Sequence, residues 1–158
     1  MKRLLFLAAL LFLALQASPS WERGEAFRKG HEAQSDAEKI GWFNKAFELS
    51  RADEAVPRAW AFNNIGFVYI RANKWEEAFP FMEKSVKECG TIDVARNNLG
   101  IVYENLFYVK KDLSLLRKAV ACYGSAIALK PDLEKYRLNK ERAEMLLAKE
   151  ESAAQGKK

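Results

Sequence analysis

Residues 63–69 read NNIGFVY and residues 97–103 read NNLGIVY, five of seven letters identical at a distance of 34 residues. No other feature restricts the fold as much. A unit of about 34 residues is too small to close a core alone, so it must bury its apolar side against the next copy. Around the first copy, Pro57 suits the first turn of a helix, and Trp60, Phe62, Ile65 and Tyr69 recur at helical spacing. Asn73 is placed to cap a second helix, with Glu76 three residues on completing a capping box. That helix is expected to run to about Cys89, with Gly90 as a left-handed terminator.

The second copy begins at Thr91, with Asp93 near a helix N-terminus, and continues to about Val109 before a break at 110–112. Its partner helix, LSLLRKAVACYGSAIALKP, ends at Pro131. Upstream, Ser35 and Glu38 spell a capping box ahead of WFNKAFELS, and residues 22–34 form a weaker preceding helix. Downstream, Leu133, Tyr136, Ala143 and Leu147 make one apolar stripe on a charged helix, the form a terminal cap takes. The expected architecture is all-α: a repeat domain over 21–151, with units of about 21–56, 57–92 and 93–131, a capping helix over 132–151, and a frayed tail over 152–158.

Ahead of this domain, Lys2 and Arg3 precede the apolar run Leu4 to Leu15 and the small-residue stretch Ala17-Ser18-Pro19-Ser20. This is the layout of a secretory leader, residues 1–17, cleaved after Ala17. The run is shorter than the roughly 18–20 residues a membrane span needs, so a periplasmic or secreted mature chain is expected, with an uncleaved N-terminal tether as the alternative. Without Lys2 and Arg3 the balance is 24 basic to 21 acidic side chains, and the formal charge falls from +5 to +3. The two signs interleave along the chain, so no basic stripe for nucleic acid forms.

The spacing and its residues resemble the tetratricopeptide repeat family. In the second unit the resemblance rests on Phe62 in place of the usual tryptophan, Ile65, Gly66, Tyr69, Ala78, Met82 and Gly90. In the third it rests on Leu99, Gly100, Tyr103, Ala119, Tyr123, Ala126 and Pro131, with about seven extra residues between the two helices and Arg96 in a place usually bulky and apolar. The first unit is degenerate: it keeps Phe43, Ala46 and Leu49, and Lys39 stands where a small residue is usual. The resemblance implies a right-handed solenoid of helical hairpins. Gly66 and Gly100 would admit the facing helix, Ala78 and Ala119 would be the small residues opposite, and Tyr69 and Tyr103 would fill the space between hairpins.

Catalytic chemistry finds little to build on. His31 is the sole histidine and reads as solvent-facing, and Cys89 and Cys122 have neither CxxC spacing nor histidine neighbours, so no metal site is expected. In parallel neighbouring helices the two cysteines would be offset by roughly 12 Å, too far for a disulfide. Adjacent acids such as Glu76 and Glu77 diverge by about 100° on a helix, and no glycine-rich phosphate loop occurs, so no cofactor is called for.

By the resemblance, Trp60, Phe67 and Ile101 fall on the face that lines a concave groove, and Asn63, Asn64, Arg71, Asn97, Asn98, Glu104 and Asn105 fall there or on its margin. Asparagine amides can hold an extended peptide backbone, and the aromatics can anchor an apolar side chain. The alternative is that Trp60 and Phe67 pack against the first unit or the cap. Some relatives grip a partner's C-terminal carboxylate with cations on the third first-helix, where Asn97 and Ile101 stand here. The expected role is a non-catalytic module binding a protein or peptide. Self-association through the weak first unit is the alternative, and an enzyme holding substrate in the groove is more remote.

Overall fold

The structure is a computed structural model that describes residues 18–155. The expected leader at 1–17 and the last three residues, 156–158, lie outside the described residues. Among the described residues seven helices follow one another: α1 (Pro19–Glu32), α2 (Asp36–Glu48), α3 (Ala55–Arg71), α4 (Trp75–Glu88), α5 (Asp93–Lys110), α6 (Leu113–Leu129) and α7 (Glu134–Gln155). No strand occurs among the described residues, and none of these helices is long and apolar enough to cross a membrane. Each helix packs against the next, and α3 also touches α5.

Local chemistry sets most boundaries. Ser18 accepts from the Trp21 amide and Pro19 occupies the first turn of α1. The capping box ahead of α2 is formed in both directions: the Glu38 amide donates to Ser35 Oγ, and the Ser35 amide donates to the Glu38 carboxylate. Asp112 caps α6 by accepting from the Ser114 amide at 2.9 Å.

Two expected helix ends are built differently. Asn73 does not cap α4; it takes the left-handed conformation, φ 57°, and Lys74 precedes the helix without a side-chain cap. The chain must reverse between Arg71 and Trp75, and asparagine tolerates the left-handed turn that reversal uses. Gly90 is not left-handed: α4 ends on extended Cys89, φ −146°. Arg96 reaches back and donates Nε to the Gly90 carbonyl at 2.6 Å, and a side chain at 90 would meet its guanidinium at 2.9 Å.

One close approach recurs in every hairpin. A Cβ at Gly30 would lie 2.5 Å from Phe43, at Gly66 2.8 Å from Met82, and at Gly100 2.6 Å from Tyr123. Ala78 and Ala119 are fully buried as expected, yet the atoms over the glycines belong to side chains four residues further on. Ala126 is likewise sealed, and Pro131 sits exposed in the turn after α6. Tyr103 meets Phe79 of the preceding hairpin edge-on at 5.4 Å, whereas Tyr69 stacks on Phe81 of its own hairpin at 5.6 Å.

The core is uneven. Its main cluster joins α4 to α7 through Ala78, Met82, Leu99, Val102, Tyr103, Leu106, Ala119, Tyr123 and Ala143. A smaller one, Phe43, Ile65 and Val68, joins the first hairpin to α3. On α7, Tyr136 and Ala143 are buried and Leu147 half-buried, as is Leu133 just ahead of it, and the helix runs through Gln155, four residues beyond the boundary expected for the cap. Cys89 and Cys122 are both free, and burial pushes the Cys122 thiol up to about 11.

Hairpin tips are staggered relative to the glycine plane. Past its glycine, α1 runs 2 residues to Glu32, α3 runs 5 to Arg71, and α5 runs 10 to Lys110. At the helical rise these are heights of about 3, 7.5 and 15 Å.

Candidate partner-binding groove

The first helices of successive hairpins, α1, α3 and α5, line one side of the molecule, and α7 takes the place of a further one. Between α3 and α5, Asn98 Nδ2 donates to Asn63 Oδ1 at 3.1 Å. Between α5 and α7 the same device recurs: Asn139 Nδ2 donates to Asn97 Oδ1 at 2.8 Å. A charged clamp reinforces this second rung, because Arg142 donates to both Glu104 oxygens at 2.9 Å and the Tyr123 hydroxyl adds a third bond at 2.8 Å. Burial, and then the Glu104 carboxylate, hold the Tyr123 hydroxyl protonated far above its ordinary range. Tyr136 closes the base of α7 on Asp93 at 2.7 Å.

Four residues expected to meet a partner are therefore not presented to one. Asn63, Asn97, Asn98 and Glu104 are between 4% and 5% exposed and are bonded within the chain. The helix face that would line a groove also faces the neighbouring first helix, and where neighbours approach closely the short amides bond across the gap. Asn105 donates to the Ile101 carbonyl of its own helix at 2.8 Å, and Ile101 packs half-buried against the main core cluster.

At α1 the ladder stops. Asn63 lies three residues before Gly66, and the residue three before Gly30 is Phe27, which offers no amide. Two adjoining hollows open between α1 and α3. One, of about 400 Å³, is walled by Phe27, Val56, Pro57 and Trp60, with Arg23 at its edge. The other, of about 340 Å³, runs over the α1–α2 turn between Lys39, Phe43, Phe67 and Arg71. His31 and Asn64 line both.

The side chains here are left open rather than spent. Trp60 is 38% and Phe67 44% exposed. Asn64 receives one long bond, 3.4 Å, from Asn63 and donates none among the described residues. Arg23 is held by Glu54 at 2.6 Å, and the Arg51 amide and then Arg23 lower the Glu54 carboxyl. Arg71 is exposed and makes no hydrogen bond or ion pair among the described residues. His31 is exposed as expected, but it lies at the junction of the two hollows with its ring edge-on to Phe43 at 5.2 Å. Phe27, Val56, Lys39 and His31 were not legible as groove residues, because Gly30 stands 36 rather than 34 residues before Gly66 and the first unit falls out of register. Among the described residues no group of histidines, cysteines and acids could hold a metal ion.

Comparison with known proteins agrees with this fold. Residues 58–89, essentially the α3–α4 hairpin, match the family model described as tetratricopeptide repeat. The solved Arabidopsis OM64 TPR domain superposes with a TM-score of 0.64 over 78% of this chain and 95% of that one, at 16% identity. No curated protein sequence matches the chain. The fold is thus an all-helical repeat of the tetratricopeptide type.

Proposed function

We propose that the chain is a non-catalytic interaction module that holds an extended segment of a partner protein between α1 and α3. One observation carries this reading: Asn64, whose side chain donates no bond among the described residues, sits between exposed Trp60 and Phe67 where the asparagine ladder between first helices is interrupted. An amide there can both donate to and accept from a peptide backbone, and flanking aromatics supply the apolar contact that dominates such interfaces. The N-terminal layout of Lys2, Arg3 and the following apolar run supports an exported setting, as an adaptor, assembly factor or accessory subunit. N-terminal sequencing of the mature chain checks this, and an intact Met1 would count against cleavage.

Affinity capture from the native compartment tests the groove. The wild type and the Trp60→Ala/Phe67→Ala variant are compared, with circular dichroism confirming equal helicity. The variant is expected to lose the partner. Equal recovery by both would overturn the assignment.

A further inference from the structure

Resting on that groove reading, we infer that the partner segment carries a bulky apolar side chain and, four or five residues away, an acidic side chain. The charge of the groove supports the acid. Each carboxylate lining the second hollow is already engaged, Glu32 with Arg28 at 2.6 Å and Asp36 with Lys39 at 3.8 Å, while at the first hollow Arg23 is held by Glu54 at 2.6 Å. Arg71 remains uncompensated among the described residues, and His31 faces the same space. A lone guanidinium fork beside an aromatic wall matches one carboxylate, and it is too little positive charge for a nucleic-acid backbone.

The apolar half follows from the other hollow, whose walls of Phe27, Val56, Pro57 and Trp60 can take one large side chain. Trp60 and Arg71 are eleven residues apart on α3, about 16 Å at the helical rise. An extended chain advances about 3.3 Å per residue, so two side chains reaching those places are four or five residues apart. Asn64, between them, is positioned for the intervening backbone. The cation thus lies at the far end of the second first-helix, away from the third-unit places held here by Asn97 and Ile101.

Four synthetic peptides with acetylated and amidated ends serve as probes for the full chain. Two have phenylalanine and glutamate four residues apart, one in each order, and two have lysine in place of glutamate. Nitrogen-15 NMR titration reads binding into the millimolar range. One glutamate peptide is expected to shift amides of α1 and α3 and to bind about fivefold or more tightly than its lysine counterpart. Arg71→Glu, a change at an exposed position, is expected to reverse that preference. Equal binding of the two charges that is still abolished by Trp60→Ala would leave the groove standing and overturn the acidic selection. A fifth peptide, with alanine in place of glutamate and a free C-terminal carboxylate, would overturn the side-chain assignment if it bound more tightly than both glutamate peptides. No shift in α1 or α3 with any peptide would overturn the groove reading and this one with it.

Discussion

The two ends of the row of first helices solve the same packing problem in opposite ways. From α3 to α7, each neighbour is bridged by an asparagine pair, and Glu104, Tyr123 and Arg142 lock the last step. From α1 to α3, phenylalanine replaces the amide, no rung forms, and two hollows remain. A buried polar group must be satisfied, so the first arrangement rigidifies, whereas exposed aromatics and a half-free amide are available to something else. The same sequence motif, NN before a glycine, is scaffold in one copy and half site in the other.

The largest expected effect comes from attacking the closed end. Glu104→Ala removes three hydrogen bonds and leaves the Tyr123 hydroxyl buried without its partner, costing about 3 kcal/mol in denaturant unfolding. Next comes the pair of glycines. Gly100→Ala forces a methyl into a fully buried tyrosine ring and should cost about 2 kcal/mol. Gly66→Ala meets the flexible end of Met82, and the gain in helix propensity offsets the strain, so a change within about 1 kcal/mol is expected. Equal losses at both sites would break the distinction.

The asparagines sharpen it further. Asn98→Ala leaves the buried Asn63 Oδ1 without its donor and should cost about 1 kcal/mol, while Asn64→Ala should leave the unfolding free energy within about 0.5 kcal/mol of wild type and weaken peptide binding instead. The smallest effect concerns acid. The folded carboxyl of Glu54 is lowered, so its contribution is present above the unfolded value and is lost as pH falls through the folded one. Amide exchange in α1 should therefore quicken on acidification below about pH 4, and Glu54→Gln should flatten that dependence.

Helix number, the capping box at Ser35 and the close approaches at Gly66 and Gly100 were readable because each rests on neighbours within one repeat, whereas the approach at Gly30 and the facing residues Met82 and Tyr123 were not. The groove was half readable. Trp60, Asn64, Phe67 and Arg71 lie on the open face, but whether an asparagine meets a partner or the next helix depends on what that helix carries 35 or 42 residues away. Asn139 and Arg142 looked like ordinary surface residues of a charged helix, so nothing marked Asn97 and Glu104 as spent. Asn73 took the left-handed conformation expected of Gly90, and at Gly90 an arginine six residues on bonds the carbonyl instead, a contact no local pattern marked.

The glycine plane has a consequence for how such a chain can change. Glycine and its facing side chain are 13 residues apart in the first hairpin, 16 in the second and 23 in the third, yet the contact is the same in all three. Differences in length are exported to one rim of the molecule, where α1 stops short and leaves the last turn of α3 bare beside Phe67 and Arg71. The hollow there is the room of the missing residues. Deletion and insertion at a turn, without any substitution at a contact, can therefore create or fill a binding surface while the interior stays untouched.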